Sequence, residues 1–203
     1  MPEERIFFNA NGVQIEGLLE DLSGDKSVVI THPHPLYGGD MNNNVVDAVR
    51  RVFKEKGYST LRFNFRGVGQ SGGSHDNGIS EQDDVKGALQ YLSDLGKTRI
   101  TLAGYSFGAW VSALALETLD QVERLVMVSP PIHFMDFAFL KYNPKIQLVI
   151  AGTEDEFGQV SMIKEMIPTW NPEATLKVIQ GADHFYIGKT QEIQKILNEF
   201  FNT

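Results

Sequence analysis

Apolar and polar positions along the chain follow two periods in turn. RIFFN (5–9) and VQIEGLLED (13–21), separated by ANG, predict an antiparallel hairpin at the start of the chain. SVVIT (27–31) is short, β-branched and bounded by turn residues, the pattern of a strand buried on both faces. VVDAVRRVFKEKG (45–57) then places apolar residues at 45, 46, 49, 52 and 53, a helical stripe with Asn44 as the expected N-cap and Gly57 as the stop. STLRFNF (59–65), RITLAG (99–104), RLVMVSP (124–130), KIQLVIAG (145–152) and TLKVI (175–179) read as further strands. Helical patterns lie between and after them, at 80–96 (opened by Ser80, with acids in its first turns), 107–119, near 158–167, and from about 190 to 201. Strand and helix in alternation predict one α/β domain over residues 1–203, with a mostly parallel sheet and helices on both faces. Ligands of such sheets gather at the carboxyl ends of the strands, and the unusual residues of this chain fall there.

Composition narrows the functional classes. Hydrophobic residues make up 42% and charged residues 22% of the 203, the proportions of a globular chain. A formal charge of −8, with Lys and Arg scattered, speaks against a nucleic-acid partner. There is no cysteine, which removes disulfides, thiolate metal sites and a cysteine nucleophile. No apolar run approaches the roughly 20 residues of a membrane helix. MPEERIFFNANG lacks the apolar run of a secretory leader, so the expected compartment is the cytoplasm, without a membrane partner.

The candidate chemistry starts at GYSFG (104–108), set between the strand RITLAG and an apolar helix. A serine on such a sharp turn needs small neighbours, and Gly104 and Gly108 supply them, leaving the Ser106 hydroxyl above the sheet. The turn also directs helix N-terminal amides at whatever the serine attacks, with Phe107 N–H as a donor for a developing oxyanion. Serine needs a base, and the base an acid to orient it. His184, in the small-residue loop GADHFY after the strand TLKVI, is the expected base. His75, in a Gly/Ser loop, reads as solvated, and His133, in an apolar segment, as packing or pocket lining. The acid is sought in TEDEF, where Asp155, third after Gly152, stands ahead of Glu154 and Glu156. The chain order Ser106, Asp155, His184 is that of one particular fold.

With HPHPLYGG (32–39), FRGVGQSGG (65–73), GYSFG, AGTEDEF and GADHF in this order, the sequence resembles the α/β-hydrolases. The nearest branch by this resemblance is the small, cap-poor, esterase-like one related to dienelactone hydrolases. Those enzymes proper use a cysteine nucleophile, which this chain lacks, so their substrate is not carried over. The resemblance implies that the HPHP loop gives a second oxyanion donor. The backbone N–H of His34 is the first choice, with Leu36 and Tyr37 behind it, because the prolines have no N–H. It also gives Arg66 a structural role and explains GVGQSG, formally Gly-x-Gly-x-x-Gly, as a tight loop. A dinucleotide fingerprint would open a helix at once, and no helical pattern begins before residue 80. His32 and His34 find no third residue at metal-ligand spacing, so no metal is expected.

PPIHFMDFAFLKYNP (130–144) stands where larger relatives insert a cap, and is too short to be one. Leu36, Tyr37, Ile132 and Phe134 are the expected lining of a substrate pocket. These readings amount to a cofactor-free serine hydrolase acting on a small-molecule carboxylic ester. The alternatives are an amidase, peptidase or thioesterase of the same fold, or a ligand-binding protein without catalysis on the same scaffold.

Overall fold

A computed structural model describes residues 2–202. Its centre is an eight-stranded sheet in the order β1-β2-β4-β3-β5-β6-β7-β8. The strands are β1 Glu4–Ala10, β2 Val13–Glu20, β3 Lys26–Thr31, β4 Ser59–Phe63, β5 Arg99–Tyr105, β6 Val122–Val128, β7 Ile146–Gly152 and β8 Thr175–Ile179. The expected hairpin is there, with β1 antiparallel to β2 and β2 antiparallel to β4, and every pair from β4 to β8 is parallel. The helices are α1 Asn44–Glu55, α2 Glu81–Asp94, α3 Phe107–Ala115, α4 Val160–Trp170 and α5 Thr190–Phe200. None of them is long and apolar enough to cross a membrane among the described residues.

Alternation along the central strands feeds two separate cores. In β3, Val28 and Ile30 join Val45, Val49 and Phe53 of α1 and Ile193 and Leu197 of α5 on one face. Val29 joins Val85 and Leu89 of α2 and Val111 of α3 on the other. A strand covered on both faces has no reason to alternate with polar residues, which is why SVVIT reads as an uninterrupted apolar run.

Element ends shift where side chains compete for backbone groups. The N-cap of α1 is Asn43, not Asn44, because the Asn43 carboxamide accepts Val45 N–H at 2.9 Å. Strand β4 stops at Phe63 rather than Phe65, and the N–H of Phe65 goes to His32 Nε2 at 3.0 Å. Ser80 precedes α2 but gives it no side-chain cap, since its hydroxyl bonds to the Asp76 carboxylate. Helix α3 ends at Ala115 and passes into a 3-10 turn at Leu116–Thr118.

The order β4-β3-β5 sets the site's location. The chain runs outward from β3 to β4, then crosses back to β5 on the other side of β3. The loops after β3 and β5 thus part at the crevice where ligands of such sheets bind. Because Thr31 pairs with Gly104, the HPHP loop and the GYSFG turn leave the sheet side by side.

Candidate active site

Ser106 sits between β5 and α3 with φ +54° and ψ −119°, a region that non-glycine residues enter only at a cost of about 1–3 kcal/mol. The turn is held from both sides: Ser106 N–H donates to Val128 O at 2.9 Å, and Ser106 O accepts from Ala109 N–H. The two flanking glycines answer different contacts. A Cβ on Gly104 would lie 2.6 Å from the Ala109 backbone, and one on Gly108 would lie 2.6 Å from Thr31 Oγ1 and 2.7 Å from His32 O. Any side chain at 108 would therefore push α3 away from the end of β3.

The loops after β7 and β8 are laced to one another. Glu154 N–H donates to Ala182 O at 3.0 Å, Thr153 N–H to Ile179 O, and Gly181 N–H to Thr153 Oγ1. A Cβ on Gly152 would come within 2.1 Å of Ala182 O, so glycine permits this approach. The result is that Asp155 and His184 meet: His184 Nδ1 lies 2.9 Å from Asp155 Oδ1 and 3.0 Å from Oδ2. The other ring nitrogen, Nε2, lies 2.8 Å from Ser106 Oγ. All three residues are buried, Ser106 and His184 keeping 7% of their surface exposed and Asp155 4%. The sequence-expected trio is thus brought together as one hydrogen-bonded chain, whereas Glu154 and Glu156 remain at the surface.

Burial pushes the Asp155 carboxyl up, but donors outweigh it and hold it below the usual carboxylate range. These are His184, the Ser129 hydroxyl and Gly158 N–H, the last at 2.8 Å. Phe157 N–H adds a further bond at 2.9 Å. An ionised Asp155 keeps the proton of His184 on Nδ1, so Nε2 is the acceptor facing the serine. Tyr105 OH donates to His184 O at 2.7 Å, and Ser129 Oγ contacts Tyr186 OH at 2.6 Å, so the loop carrying His184 is tied to β5 and to the end of β6.

Across the serine, the HPHP loop packs onto α3. The His34 ring lies 4.8 Å from that of Phe107, and the backbone N–H groups of both residues donate to no atom among the described residues. The His34 side chain instead accepts Leu36 N–H at 3.2 Å, which shapes the 3-10 turn Pro35–Tyr37. Burial and the neighbouring His75 keep His34 below the ordinary histidine range. Leu36 and Tyr37 project outward, 70% and 87% exposed.

Three expectations change, and one neighbour is added. His75 is not solvated: its ring lies 5.0 Å from His34 and 5.4 Å from Phe107, and Nδ1 is 2.8 Å from buried Glu81 without a properly directed hydrogen bond. His133 is exposed rather than packed. Ile132 belongs to the core with Phe137 and Leu140, not to an open pocket. Phe134 is exposed and packs on a neighbour the sequence reading did not single out, Phe157, whose ring lies 4.8 Å from Phe134 and 4.5 Å from His184. Position was the one available signal: Phe157 and Phe185 each lie within two residues of a member of the trio.

Arg66 has the structural role expected of it, gripping Asp84 through Nε and Nη2, the latter at 2.7 Å. The GVGQSG loop leads into no helix before Glu81. Among the described residues no three His, Asp or Glu side chains converge as metal ligands do, and both ring nitrogens of His32 are taken up by Phe65 N–H and Pro33 O.

Comparison with known proteins places the fold in a family. Residues 25–198 match the alpha/beta hydrolase domain family. An uncharacterised protein of Rickettsia prowazekii is 34% identical, the match covering 100% of this chain and 90% of that protein. An alpha-beta serine hydrolase homologue from Coxiella burnetii superposes with a TM-score of 0.90 at 34% identity, with 98% of each chain covered. A lidless serine hydrolase of the same class from Xanthomonas campestris reaches a TM-score of 0.89 at 28% identity, over 98% of this chain and 93% of its own. The chain belongs to the α/β-hydrolase family.

Proposed function

We propose that this chain, acting as a single α/β-hydrolase domain, cleaves carboxylic esters of small molecules through an acyl-enzyme. Ser106 Oγ attacks the carbonyl carbon while its proton passes to His184 Nε2. The N–H groups of Phe107 and His34 hold the oxyanion as it forms. His184 then returns the proton to the alcohol oxygen as the C–O bond breaks, and the alcohol leaves. A water deprotonated by the same imidazole releases the acid and restores the serine. Asp155 stays ionised throughout, orienting the ring and stabilising the imidazolium. The cycle requires no cofactor.

One observation carries this reading: the unbroken chain Asp155–His184–Ser106, with contacts of 2.9 and 2.8 Å, ending on a serine held at φ +54°. Amides and thioesters pass through related intermediates, so the test compares p-nitrophenyl esters of rising acyl length with matched anilides and thioesters. The esters are expected to show the highest kcat/KM, and Ser106→Ala to remove on the order of 10⁴- to 10⁶-fold of the rate with the fold intact. A fluorophosphonate probe should label Ser106 stoichiometrically in the native protein and not after denaturation. A full rate in Ser106→Ala, or no labelling, would overturn the proposal.

A further inference from the structure

In the reaction proposed above, the alcohol oxygen must come within hydrogen-bond reach of His184 Nε2, because that atom returns the proton. The carbon chain of the alcohol therefore starts beside the His184 ring, and the side chains packed on that ring are the first it meets. They are aromatic. Phe157 lies across the imidazole at 4.5 Å with 33° between planes, and Phe185 stands edge-on to it at 5.7 Å and 88°. Phe134 continues the surface, tilted against Phe157 at 4.8 Å. Phe157 is half-buried and serves as the floor, while Phe134 and Phe185 are 64% and 56% exposed. No polypeptide covers these two rings, and large aromatic side chains left open beside a reacting centre are surface available to a ligand.

The opposite side of Ser106 is different in kind. There the His34 and His75 rings lie against Phe107, and the free N–H groups of His34 and Phe107 mark where an oxyanion would sit. A tetrahedral intermediate on Ser106 places its oxyanion and its leaving group on different bonds. If the oxyanion points at the His34–Phe107 side, the leaving group points at the His184 side and onto the aromatic surface.

We infer that Phe134, Phe157 and Phe185 form the binding site for the alcohol half of the substrate, and that this half is aromatic. Planar rings gain from edge and offset contacts with Phe134 and Phe185 beyond what apolar area alone gives. The inference rests on the proposed function and extends it, assigning specificity to the leaving group rather than the acyl chain.

The test uses purified full-length protein and three acetates whose alcohols have similar acidity: benzyl, cyclohexylmethyl and ethyl. Wild type is expected to favour benzyl over ethyl acetate by about tenfold in kcat/KM, and benzyl over cyclohexylmethyl by about threefold. Phe134→Ala and Phe185→Ala should each lower the benzyl-to-ethyl ratio about threefold, mainly through KM, and the double variant about tenfold. Leu95→Ala, at an exposed apolar residue beside the C-terminus of α2, should leave both the ratio and the ethyl acetate rate unchanged. Thermal unfolding of each variant verifies that the ratio is read on folded protein. A wild-type ratio near one, or a ratio preserved in the double variant, overturns the inference. So does a double variant that loses its preference for ethyl phenylacetate over ethyl acetate instead, since this would put the aromatic surface on the acyl side. Ser106→Ala on ethyl acetate tests the reaction itself, so failure of the chemistry and failure of the specificity give different results.

Discussion

Two imidazole–carboxylate pairs stand near Ser106. His184 lies 2.9 Å from Asp155, and His75 lies 2.8 Å from Glu81. In both, the carboxylate side chain is fully buried and the imidazole about nine-tenths buried. They differ in direction. Asp155 presents both oxygens to His184 Nδ1, and Nε2 is left to meet the serine. Glu81 instead accepts the N–H groups of Asp76 and Gly78, each at 2.8 Å, and neither nitrogen of His75 makes a directed hydrogen bond. In the proposed reaction one carboxylate orients a base, whereas the other fastens a loop. Each pair sets an imidazole against a buried carboxylate at nearly the same distance, so what separates them is where the ring nitrogens point.

The sharpest way to break this comparison is to neutralise each carboxylate in turn. Asp155→Asn should lower kcat by on the order of 10³- to 10⁴-fold, as expected where an orienting acid loses its charge. Glu81→Gln keeps the volume and weakens two bonds to backbone, so kcat/KM should stay within about tenfold. Its cost should appear as about 1–3 kcal/mol of unfolding free energy in urea. Equal kinetic losses in the two variants would refute the contrast. Asp155→Asn should also change acid stability. A carboxyl held below its usual range contributes stability that is present above that range and lost as pH falls through the folded value. The variant should therefore show a flatter acid limb in unfolding measured against pH.

A third histidine sharpens the contrast, being wholly structural. His32 accepts Phe65 N–H on Nε2, so Nδ1 carries the proton and donates to Pro33 O. Burial holds its pKa near 4, against 6.5 for an exposed imidazole. Between those values the unfolded chain takes up a proton that the folded protein refuses. Stability is thus fully present above about pH 6.5 and lost toward pH 4, by about 3 kcal/mol in all. His32→Asn should be less stable at pH 7 but should lose this slope. Urea titrations from pH 4.5 to 7.5 measure it, and an unaltered slope would refute the assignment.

The pairing of acid and base depends in turn on the close approach of the loops after β7 and β8. In Gly152→Ala the new Cβ meets Ala182 O at 2.1 Å, so the loops must separate. The expected cost is about 1–3 kcal/mol of stability, with kcat falling more than KM changes, because Asp155 and His184 sit on the two sides of that contact. A loss of stability with kcat intact would show that the loops adjust without disturbing the pair.

These differences mark what could be read from the sequence. Ser106, Asp155 and His184 each follow an apolar run, and the end of a parallel strand is recognisable because both its faces are buried. The hairpin and the strand–helix alternation were readable for the same reason. Loops offer no such period. Residues 64–80 wrap back so that His75 lies against Phe107, and neither Gly/Ser content nor polarity signals that return. Three consecutive asparagines left the cap of α1 uncertain by one position, which a single hydrogen bond decides. Phe157 and Phe185 were overlooked because an aromatic residue next to a catalytic candidate looks the same in sequence whether it faces the core or the site. Ile132 was misplaced by that same ambiguity in the opposite direction.

The smallest expected effect tests the comparison most finely. If His75 only fills the space against His34 and Phe107, another flat ring should serve as well. In His75→Phe the packing on both neighbours is kept, and two buried nitrogens without directed partners are removed. Unsatisfied buried polar atoms cost free energy, so the variant should gain on the order of 1 kcal/mol in stability while kcat/KM stays within about twofold. The acid limb of the pH–rate profile gives an independent reading. His75 is one of the groups holding His34 below its ordinary range, so its removal should let the His34 pKa rise slightly while the pH–rate profile stays in place. A tenfold fall in kcat/KM with a displaced acid limb would mean instead that His75 takes part in proton transfer, and the two pairs would then differ in degree rather than in kind.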